Sequence, residues 1–93
     1  MIRSFADAAT ERLFLTGKSR RLPPDIVKRA MMRLLQLDSA TQLQDLRLPA
    51  SNRLEALRGD RAGRYSIRVN DQWRACFRFA NGDAWDVEIV DYH

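Results

Sequence analysis

Residues 64–91 read RYSIRVNDQWRACFRFANGDAWDVEIVD, and this stretch decides the fold. Apolar and polar side chains alternate over 64–69 and again over 73–79, which is the period of a strand with one buried face. Asn70-Asp71 predicts a tight turn between these two strands, and Asn81-Gly82 predicts a hairpin that leads into a last strand. The stretch therefore predicts an antiparallel meander.

Upstream of the meander the spacing of apolar residues changes to three and four, which predicts helices. Asp7 can cap a first helix that stops at Gly17, and Pro23-Pro24-Asp25 opens a second helix. The predicted buried stripe of the first helix is Ala8, Ala9, Leu13 and Phe14. The predicted buried stripe of the second helix is Val27, Ala30, Met31, Leu34 and Leu35.

Shorter elements complete the prediction. Residues 1–5 suit a first strand, residues 53–57 could add another, and Ser39–Gln42 has the spacing of a capping box that starts a short turn ending near Leu46. Helices that precede a run of hairpins favour an α+β fold. We expect residues 1–93 to form a single domain, in which two N-terminal helices pack on one face of a mostly antiparallel, twisted sheet of about four to five strands. The opposite face should be open to solvent.

Charge and composition restrict the function. Sixteen basic residues against twelve acidic ones give a net charge of +4, which favours a polyanionic partner. All the basic residues except Lys18 and Lys28 are arginine, whose planar fork binds phosphate in two places. The lone cysteine, Cys76, excludes a disulfide within the monomer and a cysteine-based zinc cluster, so we expect neither metal nor cofactor. The chain has no apolar stretch long enough to span a membrane, and a cytoplasmic location is the default expectation.

Alternation places four arginines on the solvent face of the meander. They are Arg64, Arg68, Arg74 and Arg78, with Ser66 among them. Like charges on one face repel unless an anion or carboxylates lie between them. The four arginines therefore indicate a phosphate site, or else Asp86 and Glu88 of the last strand neutralise them as cross-strand pairs. Trp73 is expected in the core on the other face, and the place of Trp85 stays open.

The chain ends in Asp91-Tyr92-His93, which contains the only histidine. Histidine exchanges a proton near neutral pH, aspartate can act as a base or orient an imidazole, and tyrosine can stack on a base. An imidazole and several arginines suffice for RNA cleavage without a metal ion, because arginines stabilise the charge that develops on phosphorus.

Several segments together resemble the HigB group of RelE-like toxins, which are also called plasmid-maintenance killer proteins. The residues that carry the resemblance are 53–63, 65–74, 77–79, 81–84 and 91–93, with the opening 1–5 and 38–41. The combination of Gly-Asp-Arg, Asn-Asp-Gln-Trp-Arg and a closing Asp-Tyr-His is specific. The resemblance implies a microbial-ribonuclease-like fold and an endoribonuclease that cuts messenger RNA in the ribosomal A site.

The resemblance also implies partners and residue roles. The partners are a HigA-like helix-turn-helix antitoxin, the ribosome with its messenger RNA, and operator DNA through the antitoxin complex. Asp91, Tyr92 and His93 match the catalytic segment of the family, and Arg74 matches an arginine that contacts the scissile phosphate. Arg58 stands where relatives often have lysine, and we assign it to phosphate binding with Arg64, Arg68 and Arg78.

The identity of the general base stays open. Glu55 stands where some relatives have histidine, so Glu55, Asp91 and His93 are all candidates. Our interpretation takes His93 and Asp91 as the acid and base and Tyr92 as a stacking group. Two other functions remain: a module that binds nucleic acid or an acidic partner without cleaving it, and a degenerate toxin that is retained as a co-repressor.

Overall fold

The structure is a computed structural model that describes residues 1–91, so Tyr92 and His93 lie outside the described residues. Those residues form two α-helices and one four-stranded antiparallel sheet, with the strands in the order β1-β2-β3-β4. The elements are α1 (Ala8–Thr16), α2 (Pro24–Ser39), β1 (Glu55–Ala56), β2 (Arg64–Arg68), β3 (Trp73–Ala80) and β4 (Asp83–Asp91). The predicted fold class is confirmed. Neither helix within residues 1–91 is long and apolar enough to cross a membrane.

The first helix begins and ends where its capping residues predict. The Asp7 side chain accepts a hydrogen bond from the Thr10 N–H at 2.6 Å, and Gly17 ends α1 with a φ of 74°. The buried residues of α1 are Thr10 and Leu13, whereas Ala8 is exposed, so the predicted stripe is wrong at its N-terminal end. The first turn of α1 is therefore packed through Thr10 and not through Ala8.

The second helix buries a stripe rotated from the predicted one. The residues buried along α2 are Ile26, Ala30, Leu34 and Leu37. Leu35, which was predicted to be in the stripe, is 52% exposed. At about 100° per residue, Leu37 lies about 60° from Leu34 on one side of the helix and Leu35 about 100° from it on the other, so the contact line passes through Leu34 on the side of Leu37 and leaves Leu35 exposed.

A short turn follows α2, but it starts later than predicted. The helix continues through Ser39, and the turn Leu43–Arg47 is capped by Gln42 and Asp45. The Asp45 carboxylate accepts hydrogen bonds from the Thr41 and Gln42 N–H groups, which lower its pKa. The capping box is therefore present, displaced by three residues.

The sheet register confirms the predicted alternation. Tyr65 lies opposite Phe77 and Ile67 opposite Ala75, and these side chains face the helices. Trp73 is buried in the same core, as predicted. Asn81 and Gly82 both have positive φ, 54° and 79°, which is the conformation that the predicted hairpin turn requires.

The N-terminal segment pairs with the outer edge of β4 but is not a regular strand. Ile2 bridges Ala84 and Phe5 bridges Val87, both in the parallel sense. A register shift between β3 and β4 falls beside these bridges, and Asp86 has a φ of 53° there. The prediction of a first strand is therefore wrong as stated, because the bulge in β4 interrupts the pairing.

Beyond the two bridges, side chains of α1 and of the loop after it form hydrogen bonds with backbone groups at the edge of β4. The Ile89 N–H donates to Thr10 Oγ1 at 3.0 Å, and Arg21 Nη2 donates to the Ile89 carbonyl at 2.8 Å. Arg21, in the basic loop after α1, thus has a structural partner.

The face away from the helices is less open than predicted. Ser66 and Cys76 point to this face and are both fully buried. The loop between β1 and β2 covers part of it, since Arg61 from this loop donates to Glu88 of β4 at 2.7 Å. Burial raises the pKa of the Cys76 thiol.

Candidate active site on the arginine face

The four predicted arginines lie on one sheet face, which we call the arginine face: the solvent-side surface of β2 and β3. Arg68 lies directly opposite Arg74, and Arg64 directly opposite Arg78. We call Arg68 and Arg74 the first arginine pair and Arg64 and Arg78 the second. The two pairs are four positions apart along each strand, so their Cα atoms lie about 13 Å apart at the usual rise per residue. Their described partners also differ: Arg74 contacts Ser66 and the Arg53 carbonyl, whereas Arg64 and Arg78 lie beside Asp86.

The Arg74 guanidinium is held in a fixed orientation. Its Nε donates to Ser66 Oγ at 2.9 Å, and its Nη2 donates to the Arg53 carbonyl at 2.6 Å. Only 11% of the side chain is exposed. These bonds need the fork of arginine, because Nε and Nη2 reach at once an acceptor on β2 and an acceptor in the segment before β1. Arg74 is thus pre-organised at the edge of the arginine face.

Glu55 lies beside Arg74. It pairs with Ser66 across β1 and β2, so its side chain is on the arginine face. Glu55 Oε1 is 3.9 Å from Arg74 Nη2, and the glutamate side chain is 54% exposed. A carboxylate held next to a cation and open to solvent can take a proton from a bound ligand.

The first arginine pair lines a shallow cleft of about 220 Å³ where β2 ends and β3 begins. The residues around it are Arg53, Glu55, Arg68, Asn70, Asp71 and Arg74. Arg68 donates to Asp71, whose carboxylate is 96% exposed, so a stronger anion can replace it. Arg33 approaches from α2 and donates to the Arg68 carbonyl at 2.9 Å; burial and two nearby arginines lower its pKa. The cleft is therefore electropositive and accessible.

Carboxylates of β4 neutralise part of the arginine face, as one interpretation of the sequence predicted. Asp86 Oδ2 accepts from Arg78 Nε at 2.8 Å and lies 4.0 Å from Arg64 Nη2. Glu88 pairs with Arg61 of the covering loop and not with one of the four predicted arginines. The prediction is thus confirmed for Asp86, whereas the partner of Glu88 differs.

The remaining predicted site residues are not brought to this cleft by the described contacts. Arg58 is exposed in the loop after β1. Asp91 lies opposite Trp73, so alternation places it on the helix side of the sheet, and its carboxylate accepts from Gln72 Nε2 at 3.1 Å. The predicted roles of Tyr92 and His93 fall on residues outside the described part of the chain. Among residues 1–91, the described contacts place Glu55 beside Arg74.

Two contributors to the cleft had no assigned role in the sequence analysis. Ser66 is a small polar residue between two arginines of β2, and this pattern could have indicated an anchor for a neighbouring guanidinium. The Arg53 carbonyl contributes through the backbone, in a left-handed conformation with a φ of 45°, and side-chain patterns do not predict such a contact. Within residues 1–91, no group of three or more histidine, cysteine, aspartate or glutamate side chains could hold a metal ion.

Comparison with known families and proteins gives a consistent result. The family described as "RelE-like toxin of type II toxin-antitoxin system HigB" matches residues 3–93. The chain is 39% identical over 93 residues to Endoribonuclease HigB of Proteus vulgaris, and the match covers 100% of both proteins. It is 40% identical over 90 residues to Toxin HigB-1 of Vibrio cholerae, which covers 96% of this chain and 95% of that one.

Solved structures share the fold at low identity. A YoeB–YefM complex from Staphylococcus aureus contains a chain that aligns with a TM-score of 0.62 and 17% identity, covering 100% of this chain and 98% of that one. YafQ from Escherichia coli aligns with a TM-score of 0.57 and 15% identity, covering 98% of this chain and 93% of that one. At these identities the likeness supports the arrangement of helices and sheet alone.

Proposed function

The chain belongs to the HigB-like family of RelE-like toxins, and from that premise we propose that it cleaves messenger RNA in the A site of the ribosome. The protein is an endoribonuclease and the toxin of a type II toxin–antitoxin system. The observation that carries the proposed site is the anchored Arg74 guanidinium beside the Glu55 carboxylate, in a shallow electropositive cleft.

The proposed reaction needs no metal ion. A base removes the proton from a ribose 2′-hydroxyl, and the oxygen attacks the adjacent phosphorus. The bond from O2′ to phosphorus forms while the bond from phosphorus to O5′ breaks. The O5′ leaving group takes a proton from an acid, and the products are a 2′,3′-cyclic phosphate and a 5′-hydroxyl. Arg74 and Arg68 stabilise the negative charge on the non-bridging oxygens.

Glu55 is our choice for the base. Among the three candidates that the sequence raised, it is the one whose described contacts place it beside Arg74. Asp91 lies on the other side of the sheet, and we no longer pair it with the 2′-hydroxyl. By resemblance to the family, we assign Tyr92 to stacking and His93 to protonation of the leaving group, and Arg58 to an RNA phosphate.

Dependence on the ribosome follows from the shape of the cleft. A site of about 220 Å³ with few groups that can read a base does not orient a flexible RNA by itself. Orientation contributes a large part of the rate of such reactions, so the ribosome would supply it. We expect naked RNA to be cut poorly.

Partners and location follow from the same premise. A toxin of a type II system has an antitoxin partner. We propose that this antitoxin is HigA-like with a helix-turn-helix domain, that the toxin reaches operator DNA only through that complex, and that it acts in the cytoplasm.

The test is expression of variants in an inducible bacterial host, with mapping of messenger RNA 5′ ends. The variants are Glu55→Gln and a form that lacks Tyr92 and His93, and the matched control is Glu11→Gln on the exposed side of α1. We expect codon-phased cleavage inside translated regions for the wild type and the control, and a large loss for both site variants. Unphased cleavage, or equal cleavage of naked RNA, would refute ribosome dependence. Full activity of Glu55→Gln would move the base elsewhere.

A further inference from the structure

The second arginine pair has no role in the cleft around Arg74. Arg64 and Arg78 lie about 13 Å along the sheet from the first pair, at the end where the hairpin joins β3 to β4. Their side chains are 32% and 45% exposed, so solvent reaches both. Two cations side by side and accessible form a second place where an anion could bind.

One carboxylate lies between these two cations. Asp86 Oδ2 accepts from Arg78 Nε at 2.8 Å and lies 4.0 Å from Arg64 Nη2. This oxygen occupies the position that a phosphate oxygen would take between two guanidinium groups. One negative charge faces two positive charges, so the described cluster keeps a net positive charge.

The backbone holds Asp86 in this position. Its φ of 53° lies in the left-handed region, which aspartate adopts more often than most residues other than glycine, and the strand is bulged there. Ser4 of the N-terminal segment clamps it from outside the sheet: Ser4 Oγ accepts from the Asp86 N–H at 2.8 Å and donates to Asp86 Oδ1 at 3.3 Å. The bulge and Ser4 together fix the carboxylate between the two arginines, whereas a half-exposed ion pair by itself contributes little to stability.

An aromatic surface lies next to the pair. The Arg78 guanidinium carbon is 6.0 Å from the centroid of the Trp85 ring, and Trp85 is half-buried. Arginine beside an indole is a combination that binds single-stranded nucleic acid, because the phosphate contacts the cation and a base stacks on the ring.

We propose that Arg64, Arg78 and Trp85 form a second RNA subsite, in which Asp86 occupies the phosphate position until the RNA backbone displaces it. This inference rests on the proposed function, since it assumes that RNA enters the cleft at Arg74. The RNA chain runs from the cleft over the Arg61–Glu88 ion pair, which covers the sheet between the two arginine pairs, to the second pair. An RNA must therefore extend several nucleotides beyond the scissile dinucleotide to reach the subsite, and a trinucleotide is too short.

Binding of RNA that cannot be cleaved tests the proposal. The probes are a trinucleotide and an octanucleotide, labelled with a fluorophore and carrying 2′-O-methyl riboses, titrated with purified protein at several salt concentrations. The variants are Asp86→Asn, Arg64→Gln and Arg78→Gln. The matched controls are Asp25→Asn and Arg29→Gln, which make the same changes at exposed positions of α2. Asparagine adopts positive φ readily and keeps a hydrogen-bonding side chain for Ser4, so Asp86→Asn should fold.

The expected results depend on the length of the probe. With the octanucleotide, Asp86→Asn binds several-fold more tightly than Asp25→Asn. Loss of either arginine makes the slope of log affinity against log salt shallower by about 0.7, the value for one phosphate contact in a single strand. The trinucleotide binds all variants within twofold of their controls.

Equal behaviour of Asp86→Asn and Asp25→Asn would overturn the proposal. So would arginine variants that weaken both probes alike. If the arginine variants bind RNA normally but lose affinity for the antitoxin, the pair serves an acidic segment of that partner and the RNA subsite is wrong. Cleavage on ribosomes is measured separately, so a failure of the proposed function would appear there and leave the binding result interpretable.

Discussion

Replacement of Arg74 by lysine separates charge from geometry in the proposed site. Arg74→Lys keeps the positive charge, but a single ammonium group cannot reach Ser66 Oγ and the Arg53 carbonyl together, as Nε and Nη2 do. We expect the rate of cleavage to fall about 10²–10³-fold, the usual effect of removing one pre-organised donor to a developing anion.

The cost in stability can be measured separately from the cost in rate. The variant loses one or two hydrogen bonds of a charged group whose side chain is 11% exposed, so the free energy of unfolding falls by about 1.5–3 kcal/mol. For a domain of this size the melting temperature falls by about 4–8 °C for each kcal/mol. The rate is therefore compared at a temperature below the melting transition of the variant.

The assay measures single-turnover cleavage of a messenger RNA held on purified ribosomes, at saturating toxin. Thermal unfolding followed by circular dichroism reports stability in parallel. Arg29→Lys on the exposed side of α2 is the matched control and should retain full rate and melting temperature. Activity of Arg74→Lys within threefold of wild type would refute the reasoning, because it would show that charge alone suffices. A collapse of the melting temperature would show that Arg74 acts on the fold.

Three further outcomes follow from the fold. Thr10→Val leaves the buried Ile89 N–H without its described side-chain acceptor, and chemical denaturation should show a loss of about 1–3 kcal/mol. Phe77→Ala removes a fully buried ring and should cost about 3–5 kcal/mol in the same measurement, with Thr16→Ala as an exposed control. The Arg78 hydrogen bond lowers the pKa of the Asp86 carboxyl in the folded protein. The ionised carboxylate therefore stabilises the fold above the unfolded pKa of about 3.9, and this stabilisation is lost as the pH falls through the lowered pKa. Asp86→Asn should make the melting temperature decrease less steeply with pH below about 3.9.

Local sequence patterns predicted most of the fold because the conformation of each strand and turn depends on residues that are adjacent in the sequence. Alternation in β2 and β3 gave the correct faces, and Asn81-Gly82 gave the correct turn, since both depend on backbone geometry within a few positions. The stripe of α2 was less accurate because it depends on how the helix docks. Leu35 and Leu37 are equally apolar, and only the packed core decides which of them is buried.

The site was harder to predict because it combines distant segments. Alternation predicted that Arg74 would lie on the arginine face. It did not predict the two groups that hold the guanidinium, which are Ser66 on the neighbouring strand and the Arg53 carbonyl just before the short edge strand β1. Alternation along β4 would have predicted the face on which Asp91 lies if the position of the bulge had been known. The residues around Asp86 do not indicate a positive φ, so the sequence did not predict the register shift at Asp86.

The pairing of charges across the sheet gives a reason for the expected weakness toward free RNA. Arginines on adjacent strands are close enough to repel, and a carboxylate from a flanking strand lies beside each pair: Glu55 of β1 beside the first and Asp86 of β4 beside the second. An RNA phosphate must therefore compete for each arginine pair with a carboxylate of the same protein, which is present at a high local concentration. The competition lowers the affinity of both kinds of RNA, free and ribosome-held, by the same factor, but an RNA strand already held in the ribosome loses less entropy on binding, so it retains enough affinity to be cut where a free RNA does not.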